Sequence, residues 1–194
     1  MIGTYNDLTI GQFLKCKTIA EFETDPLQKN IRMLAEISGK TAEEIEELPI
    51  SELLKKLKTL SEINSLPADS KVKMRFKVGG KRFECIWKTQ ELTAAQYIDV
   101  THFCSDNIIQ NIHNILAAIC VRRTWGKRGK YDGANHKEIA DLFYNNMKIS
   151  QAYPIMVFFC KYSKVLEDNI LACLVKETQE VAALFLKNGA GLRS

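Results

Sequence analysis

The sequence predicts a mainly α-helical α+β fold, in which two halves of a helical bundle surround one β-hairpin at about residues 71–88. Along most of the chain, apolar residues recur at spacings of three and four, as they do in amphipathic helices. Only KVKMRFKV-GG-KRFECIWK alternates apolar and polar residues around a glycine pair, as a hairpin does. We therefore expect one compact domain, built from a helical segment (1–64), a hairpin segment (65–92) and a second helical segment (93–190), with a flexible tail at 189–194.

The glycine pair Gly79-Gly80 predicts the register of the hairpin. Two glycines between alternating segments favour a tight two-residue turn with positive φ at both positions. The apolar face would then consist of the opposed pairs Val78 and Lys81, Phe76 and Phe83, Met74 and Cys85, and Val72 and Trp87. Arg75 would lie opposite Glu84 on the other face, with Lys73 and Lys77 beside it. Because a lone hairpin is only marginally stable, its apolar face must pack on helices or on another chain.

Several short motifs predict where helices begin and end. Three pairs have the spacing of a capping box, and Thr24-Asp25-Pro26 is typical of a helix start. Gly39 is a natural helix end. The capping-box pairs are Thr9 with Gln12, Thr41 with Glu44, and Thr93 with Gln96.

The second half of the chain contains the most apolar helix and a loop. Ile108 to Ile119 is apolar on more than one face, which predicts a helix in the centre of the fold. Residues 121–136, VRRTWGKRGKYDGANH, contain three glycines and no periodicity, so we expect a loop there. Helices should follow near His136 to Met147 and from Ser150 onward, the latter with an apolar stripe that extends to Cys173.

The net charge of +4 is unevenly distributed. Residues 1–64 carry 11 acidic and 8 basic side chains, whereas residues 65–92 carry 3 acidic and 7 basic ones. Residues 121–130 carry 5 basic and no acidic side chains. The positive charge is therefore concentrated on the predicted hairpin and on the predicted loop.

No catalytic, cofactor or metal motif is present. The six cysteines are scattered without a CxxC pair, which is typical of buried, reduced thiols. Ser38 to Thr41 resembles the end of a phosphate-binding loop, but it lacks the earlier glycine and the preceding strand, so we interpret it as one helix end meeting the next helix start. His102, Cys104 and His113 fit no standard zinc spacing. We expect a non-enzymatic protein without a cofactor.

Neither a signal peptide nor an apolar run of membrane-spanning length is found. We therefore expect a soluble, intracellular protein without a membrane partner.

The basic residues of the hairpin and loop, with the aromatic residues between them, are the candidate partner-binding residues. Cations beside aromatic side chains suit phosphates and stacked bases, and they equally suit an acidic protein partner. A solvated connector is the third interpretation of the loop, and all three stay open here. The candidates are Lys73, Arg75, Lys77, Arg122, Arg123, Trp125, Lys127, Arg128, Lys130 and Tyr131.

Three segments resemble proteins of tailed bacteriophages, namely tail assembly chaperones and related virion-assembly proteins. The first is DPLQKNIRMLAEISGKTAEEIEELPISELLKKLKTL. It is similar to a module of that class in which a helix, a (S/T)G pair, a short acidic helix, a Leu-Pro pair and a second helix follow one another. The second is the strand pair followed by LTAAQYIDV. The third, YDGANHKEIADLFYNNMKISQAYPIMVFFCKYSKVLE, is similar to the C-terminal helices of relatives in phages of gut Bacteroides. The likeness covers residues 24–175 and concerns the order of parts.

The resemblance implies a non-enzymatic assembly protein, most simply a tail assembly chaperone, that acts in the host cytoplasm on other tail or virion proteins. Such a protein shields apolar surfaces of a tail component before that component polymerises. Two alternatives remain: a structural virion protein of the neck, tail or cargo, and a nucleic-acid-binding module that uses residues 122–131. Self-association into a homo-oligomer is compatible with each of them.

Overall fold

Four helices make up the N-terminal part of the fold. A computed structural model of the chain describes residues 7–61 and 72–162. The helices are α1 (Ile10–Phe22), α2 (Pro26–Ser38), α3 (Ala42–Glu46) and α4 (Ile50–Ser61). Local chemistry sets their limits, as predicted: Thr9 and Thr41 form reciprocal capping boxes, and Asp25 accepts the Gln28 N–H at 2.7 Å. Gly39 ends α2 with φ 65°, and Thr41 then starts α3, which confirms the interpretation of Ser38 to Thr41.

The predicted hairpin is present in the predicted register. It consists of β1 (Arg75–Val78) and β2 (Lys81–Cys85), with Phe76 opposite Phe83 and Arg75 opposite Glu84. Gly79 and Gly80 have φ 54° and 76°, as a primed turn requires. The strands are shorter than predicted, since Val72 and Trp87 lie outside them, although the Cys85 N–H still donates to the Met74 carbonyl at 2.8 Å.

The prediction of a single hairpin and of a loop over residues 121–136 was wrong. The structure has β3 (Cys120–Thr124) and β4 (Lys127–Arg128), which extend the sheet to four antiparallel strands in the order β1-β2-β3-β4. Trp125 and Gly126 form the turn between them, with φ 51° and 77°. The segment was mistaken for a loop because its strands are too polar and too short for an alternation to appear. Tryptophan is also an unusual residue for the first position of a primed turn.

In the described part of the chain, four α-helices follow or interrupt the sheet: α5 (Ala94–Ser105), α6 (Ile112–Ile119), α7 (His136–Asn146) and α8 (Ile149–Tyr162). As predicted, the apolar helix is central, because Ile115 through Ile119 are fully buried. It begins at Ile112 rather than at Ile108, after a turn. Helix α8 begins at Ile149, one residue before the predicted Ser150, so that Pro154 lies in its second turn.

The sheet packs on α7 through aromatic rings, and this contact fixes its orientation. The Phe83 and Phe143 ring centroids are 4.8 Å apart in an edge-to-face arrangement, and both side chains are fully buried. The hairpin therefore packs on helices of its own chain, and its other face is left on the outside. The predicted connector at 65–70, Ile63, the helical stripe beyond Tyr162 with Cys173, and the tail at 189–194 lie outside the described residues.

Backbone hydrogen bonds join the beginning of the chain to the start of α8. The Ile10 N–H donates to the Met147 carbonyl at 2.9 Å, and the Ile149 N–H donates to the Leu8 carbonyl at 2.8 Å. Lys148 lies between these two bonds, where its Nζ is 2.6 Å from an Asp7 carboxylate oxygen. This bridge places the N-terminal turn of α8 beside the outer face of the sheet.

Candidate functional site: a basic cleft beside the sheet

A cleft of about 870 Å³ is lined by residues of β1, β2 and β3 on one side and by the first turns of α8 on the other. Strand alternation supplies most of its charge, because Arg75 and Lys77 point away from the core while Phe76 and Val78 point into it. The α8 side contributes Lys148, Ser150, Gln151 and Pro154. Among the described residues, six cationic side chains line the cleft: Lys73, Arg75, Lys77, Arg82, Arg123 and Lys148.

Four cations form one row across the sheet. Lys77 pairs with Arg82, Arg82 with Arg123, and Arg123 with Arg128, so that each lies opposite the next on the same face. Like charges in directly opposed positions destabilise a sheet. Hereafter we call Lys77, Arg82, Arg123 and Arg128 the cationic row. The pattern favours a surface that meets negative charge, since it costs stability in isolation.

Carboxylates of the chain neutralise one part of this surface and leave another part unneutralised. Glu84, with a side chain 17 % exposed, accepts hydrogen bonds from Arg75 at 3.2 Å and from Arg123. Arg128 is 3.2 Å from Glu91. Within the described residues, no carboxylate is ion-paired with the other three cations of the cleft and row. These three, Lys73, Lys77 and Arg82, lie together on the first hairpin.

The remaining candidates from the sequence lie on the second hairpin, outside the cleft. Trp125 is fully exposed at the turn. Arg122 and Lys127 lie on the opposite face of the sheet from Arg123 and Arg128, because they alternate with them along β3 and β4. The hydrogen bond and charge of Lys81, and to a smaller extent the charge of Arg122, lower the pKa of Glu138. Lys130 is exposed after β4.

Tyr131 anchors the end of the second hairpin to the helices. Its hydroxyl donates to the Asp99 carboxylate of α5 and lies 3.0 Å from Nδ1 of His136, the first residue of α7. Burial, and then the hydrogen bond to Asp99, raise the pKa of Tyr131. The His136 ring in turn stacks on Phe103 with centroids 5.1 Å apart. This candidate residue is thus half-buried and hydrogen-bonded within the chain.

The sequence prediction missed Arg82 and Lys148. Arg82 could have been found, since the predicted register already places it opposite Lys77 on the outer face. Lys148 gives no local signal, because only the bridge between Leu8 and Ile149 brings it to the cleft. The structure therefore joins four predicted residues, Lys73, Arg75, Lys77 and Arg123, with two unpredicted ones.

Burial favours the protonated form of four thiols in the described part of the chain. Burial raises the pKa of Cys16, Cys104 and Cys160 to about 12, and it also raises that of Cys120. Across residues 7–61 and 72–162, no group of three or more His, Cys, Asp or Glu side chains is arranged to hold a metal ion. The helices in these same ranges are too short or too polar to cross a membrane.

Comparison with known proteins adds no relative: no family model, no curated protein and no solved structure matches the chain significantly.

Proposed function

We propose that the protein is a non-enzymatic bacteriophage assembly protein that acts as a tail assembly chaperone and binds an acidic surface of another tail component. The cationic row is the observation that carries this proposal. Two of its members, Lys77 and Arg82, have no ion-pair partner among the described residues, whereas Arg123 and Arg128 are paired with Glu84 and Glu91. The like charges around Lys77 and Arg82 therefore lower the stability of the protein when it is alone. A partner that supplies carboxylates reverses this cost, because each cation then gains an opposite charge.

The second hairpin supports a protein partner as well. Trp125 and the arginines beside it belong to the residue types that dominate binding energy at protein interfaces. Trp125 is fully exposed at a turn where its φ is positive, so its indole gains no burial within the described part of the chain. Burial of the Trp125 indole against a partner protein would remove this apolar surface from water and strengthen the complex.

In this proposal the protein binds a tail component in the host cytoplasm and covers its apolar surfaces until polymerisation displaces the chaperone. The layout shared with tail assembly chaperones over residues 24–175 supplies the biological setting. The cleft and the exposed tryptophan supply the contact surface.

The test is co-expression with each tail protein of the encoding phage, followed by affinity capture and native mass spectrometry. We expect one tail component to be captured, and we expect the double substitution Lys77→Glu and Arg82→Glu to abolish capture. Lys137→Glu, on the exposed side of α7, is the matched charge control. A monomer that captures none of the tail components would overturn the proposal. Mass spectrometry of purified particles separates a chaperone, which is absent, from a structural virion protein, which is stoichiometric.

A nucleic-acid-binding module is the second candidate, favoured by the six cations in one cleft and the exposed indole nearby. It predicts binding to single-stranded or duplex DNA that weakens steeply with salt and is lost when Lys77, Arg82 and Arg123 are neutralised. A flat titration at low salt would exclude it.

A further inference from the structure

Within the described residues, the outer edge of β1 carries backbone hydrogen-bonding groups that no other strand pairs with. In the described sheet, β1 is an end strand and pairs only with β2. The Cys85 N–H donates to the Met74 carbonyl, so that Met74, Phe76 and Val78 direct their backbone groups toward β2. The alternate residues Lys73, Arg75 and Lys77 therefore direct their N–H and C=O groups away from the sheet.

These same three residues form one wall of the basic cleft. Their side chains lie at its mouth, and Lys148, Gln151 and Pro154 of the α8 region form the opposite wall. The volume of about 870 Å³ lies within the range of clefts that enclose a ligand. An added strand would lie about 4.8 Å from β1, in the plane of the sheet and on the side away from β2, so that every second side chain of an extended peptide would share the face of Arg75 and Lys77.

We propose that the edge of β1 binds an extended acidic segment of a partner protein as a fifth strand of the sheet. This inference rests on the proposed function and specifies how the partner is held. Backbone groups of Arg75 and Lys77 would pair with the segment, and their side chains would contact carboxylates at every second position of it. The intervening side chains would lie on the face of Phe76 and Val78, which favours apolar residues there.

The charge pattern also decides against other occupants. A second copy of β1 would place cations against cations, which is the arrangement that natural edge strands use to prevent self-pairing. A single-stranded nucleic acid would need exposed aromatic rings for its bases. The two aromatic side chains at the cleft, Phe76 and Phe83, are only 8 % and 0 % exposed. An acidic peptide uses both the cations and the free backbone groups.

Two substitutions at one position separate charge from backbone pairing. Lys77→Ala removes the charge and keeps the N–H, whereas Lys77→Pro removes both. Since this N–H points away from β2, proline leaves the β1–β2 hydrogen bonds intact, as it does in natural edge strands. Lys137→Ala is the control for a lost charge elsewhere. Thermal unfolding of each variant checks that the fold is retained.

The probe is a fluorescently labelled peptide of alternating glutamate and valine, titrated at low salt with the full chain. We expect Lys77→Ala to weaken binding by about threefold, the effect of one exposed ion pair, and Lys77→Pro to weaken it by about a further tenfold, the effect of one lost hydrogen bond. Lys137→Ala should bind normally. Equal affinities of the alanine and proline variants would overturn strand addition.

A second measurement does not depend on the proline variant. Bound peptide should slow hydrogen exchange at the amides of Arg75 and Lys77, and a peptide N-methylated at alternate positions should bind at least tenfold more weakly. Unchanged exchange at these two amides, or tighter binding of a DNA oligonucleotide than of the peptide, refutes the inference. If a tail component is captured and the Lys77→Pro variant binds it with unchanged affinity, strand addition is refuted but the proposed function is not. If the peptide binds but no tail component does, the proposed function fails and the strand site remains.

Discussion

Arg82 lies directly opposite Arg123 in the pairing of β2 with β3, and no carboxylate lies between the two side chains on the cationic row. Glu84, two residues along β2, contacts Arg123 but has no ion pair with Arg82. The repulsion between the two guanidinium groups is therefore compensated on the β3 side only. Because of this asymmetry, we expect Arg82 to lower the stability of the free protein while it strengthens the binding of an acidic partner.

Replacing Arg82 with threonine should stabilise the free protein. The change removes the centre of the cationic row and introduces a β-branched residue, and we expect the free energy of unfolding to rise by about 0.5 kcal/mol at low salt. The gain should shrink in about 1 M salt, where the repulsion is screened. Urea denaturation at both salt concentrations measures this. Arg82→Lys keeps the charge and should show little gain; a loss of stability in Arg82→Thr would contradict the prediction.

Replacing Glu84 with glutamine should destabilise the sheet. Glu84 is the partly buried carboxylate that holds both Arg75 and Arg123, so its neutralisation leaves Arg123, with a side chain 19 % exposed, beside other cations. We expect a loss of about 1–3 kcal/mol, which is typical of a hydrogen bond to a charged group. Chemical denaturation is the measurement, and Glu138→Gln, at an exposed pair with Lys81, is the control that should change nothing measurable.

Substitutions of Trp125 should separate the turn from the indole. Trp125 has φ 51°, a conformation that costs a non-glycine residue about 1 kcal/mol. Trp125→Gly should therefore raise the thermal midpoint, while Trp125→Ala should leave it nearly unchanged. Both variants lose the indole, so under the proposed function both should bind the tail component at least tenfold more weakly. Full binding by the glycine variant would show that the indole is not part of the contact.

Stability should fall when the pH is lowered below about 6.5, because two half-buried histidines favour their neutral form in the folded protein. Burial lowers the pKa of His113, despite Asp141, and that of His136, despite Asp99. Their folded-state pKa values thus lie below those of the unfolded chain, which binds more protons in this range, so that acid favours unfolding.

Denaturation series at several pH values measure this effect. His113→Phe and His136→Phe together should flatten the profile below pH 6.5, since both rings have aromatic neighbours, Tyr144 and Phe103. The exposed His102 is the control: His102→Gln should leave the profile as it is. A profile that stays steep in the double variant would assign the acid sensitivity to other groups.

The sequence predicted those elements whose chemistry is local. The capping boxes at Thr9, Thr41 and Thr93 and the glycine turn at Gly79 each contain, within four residues, the groups that determine them. The hairpin register followed from the same kind of information, because a slip by one residue would expose Phe76 and Phe83.

The second hairpin and half of the cleft depend on distant contacts. Strand β3 is held by β2, whose Arg82 and Glu84 lie far from it in sequence, and its own residues are too polar to predict a strand. Lys148 reaches the cleft only through the bridge to Leu8. The positions of β3 and Lys148 result from tertiary contacts between distant residues, and these contacts cannot be predicted from a short stretch of sequence.

The bridge between Leu8 and Ile149 has a consequence for the order of events during synthesis. The ion pair that accompanies it, between Asp7 and Lys148, joins residues 141 positions apart. A ribosome-bound chain thus exposes the first hairpin well before the opposite wall of the cleft has been translated. The complete cleft forms only after the two distant segments have met, and contacts of such long range form late in folding. A partner that needs both walls would therefore not bind nascent chains in which Lys148 has not yet been synthesised.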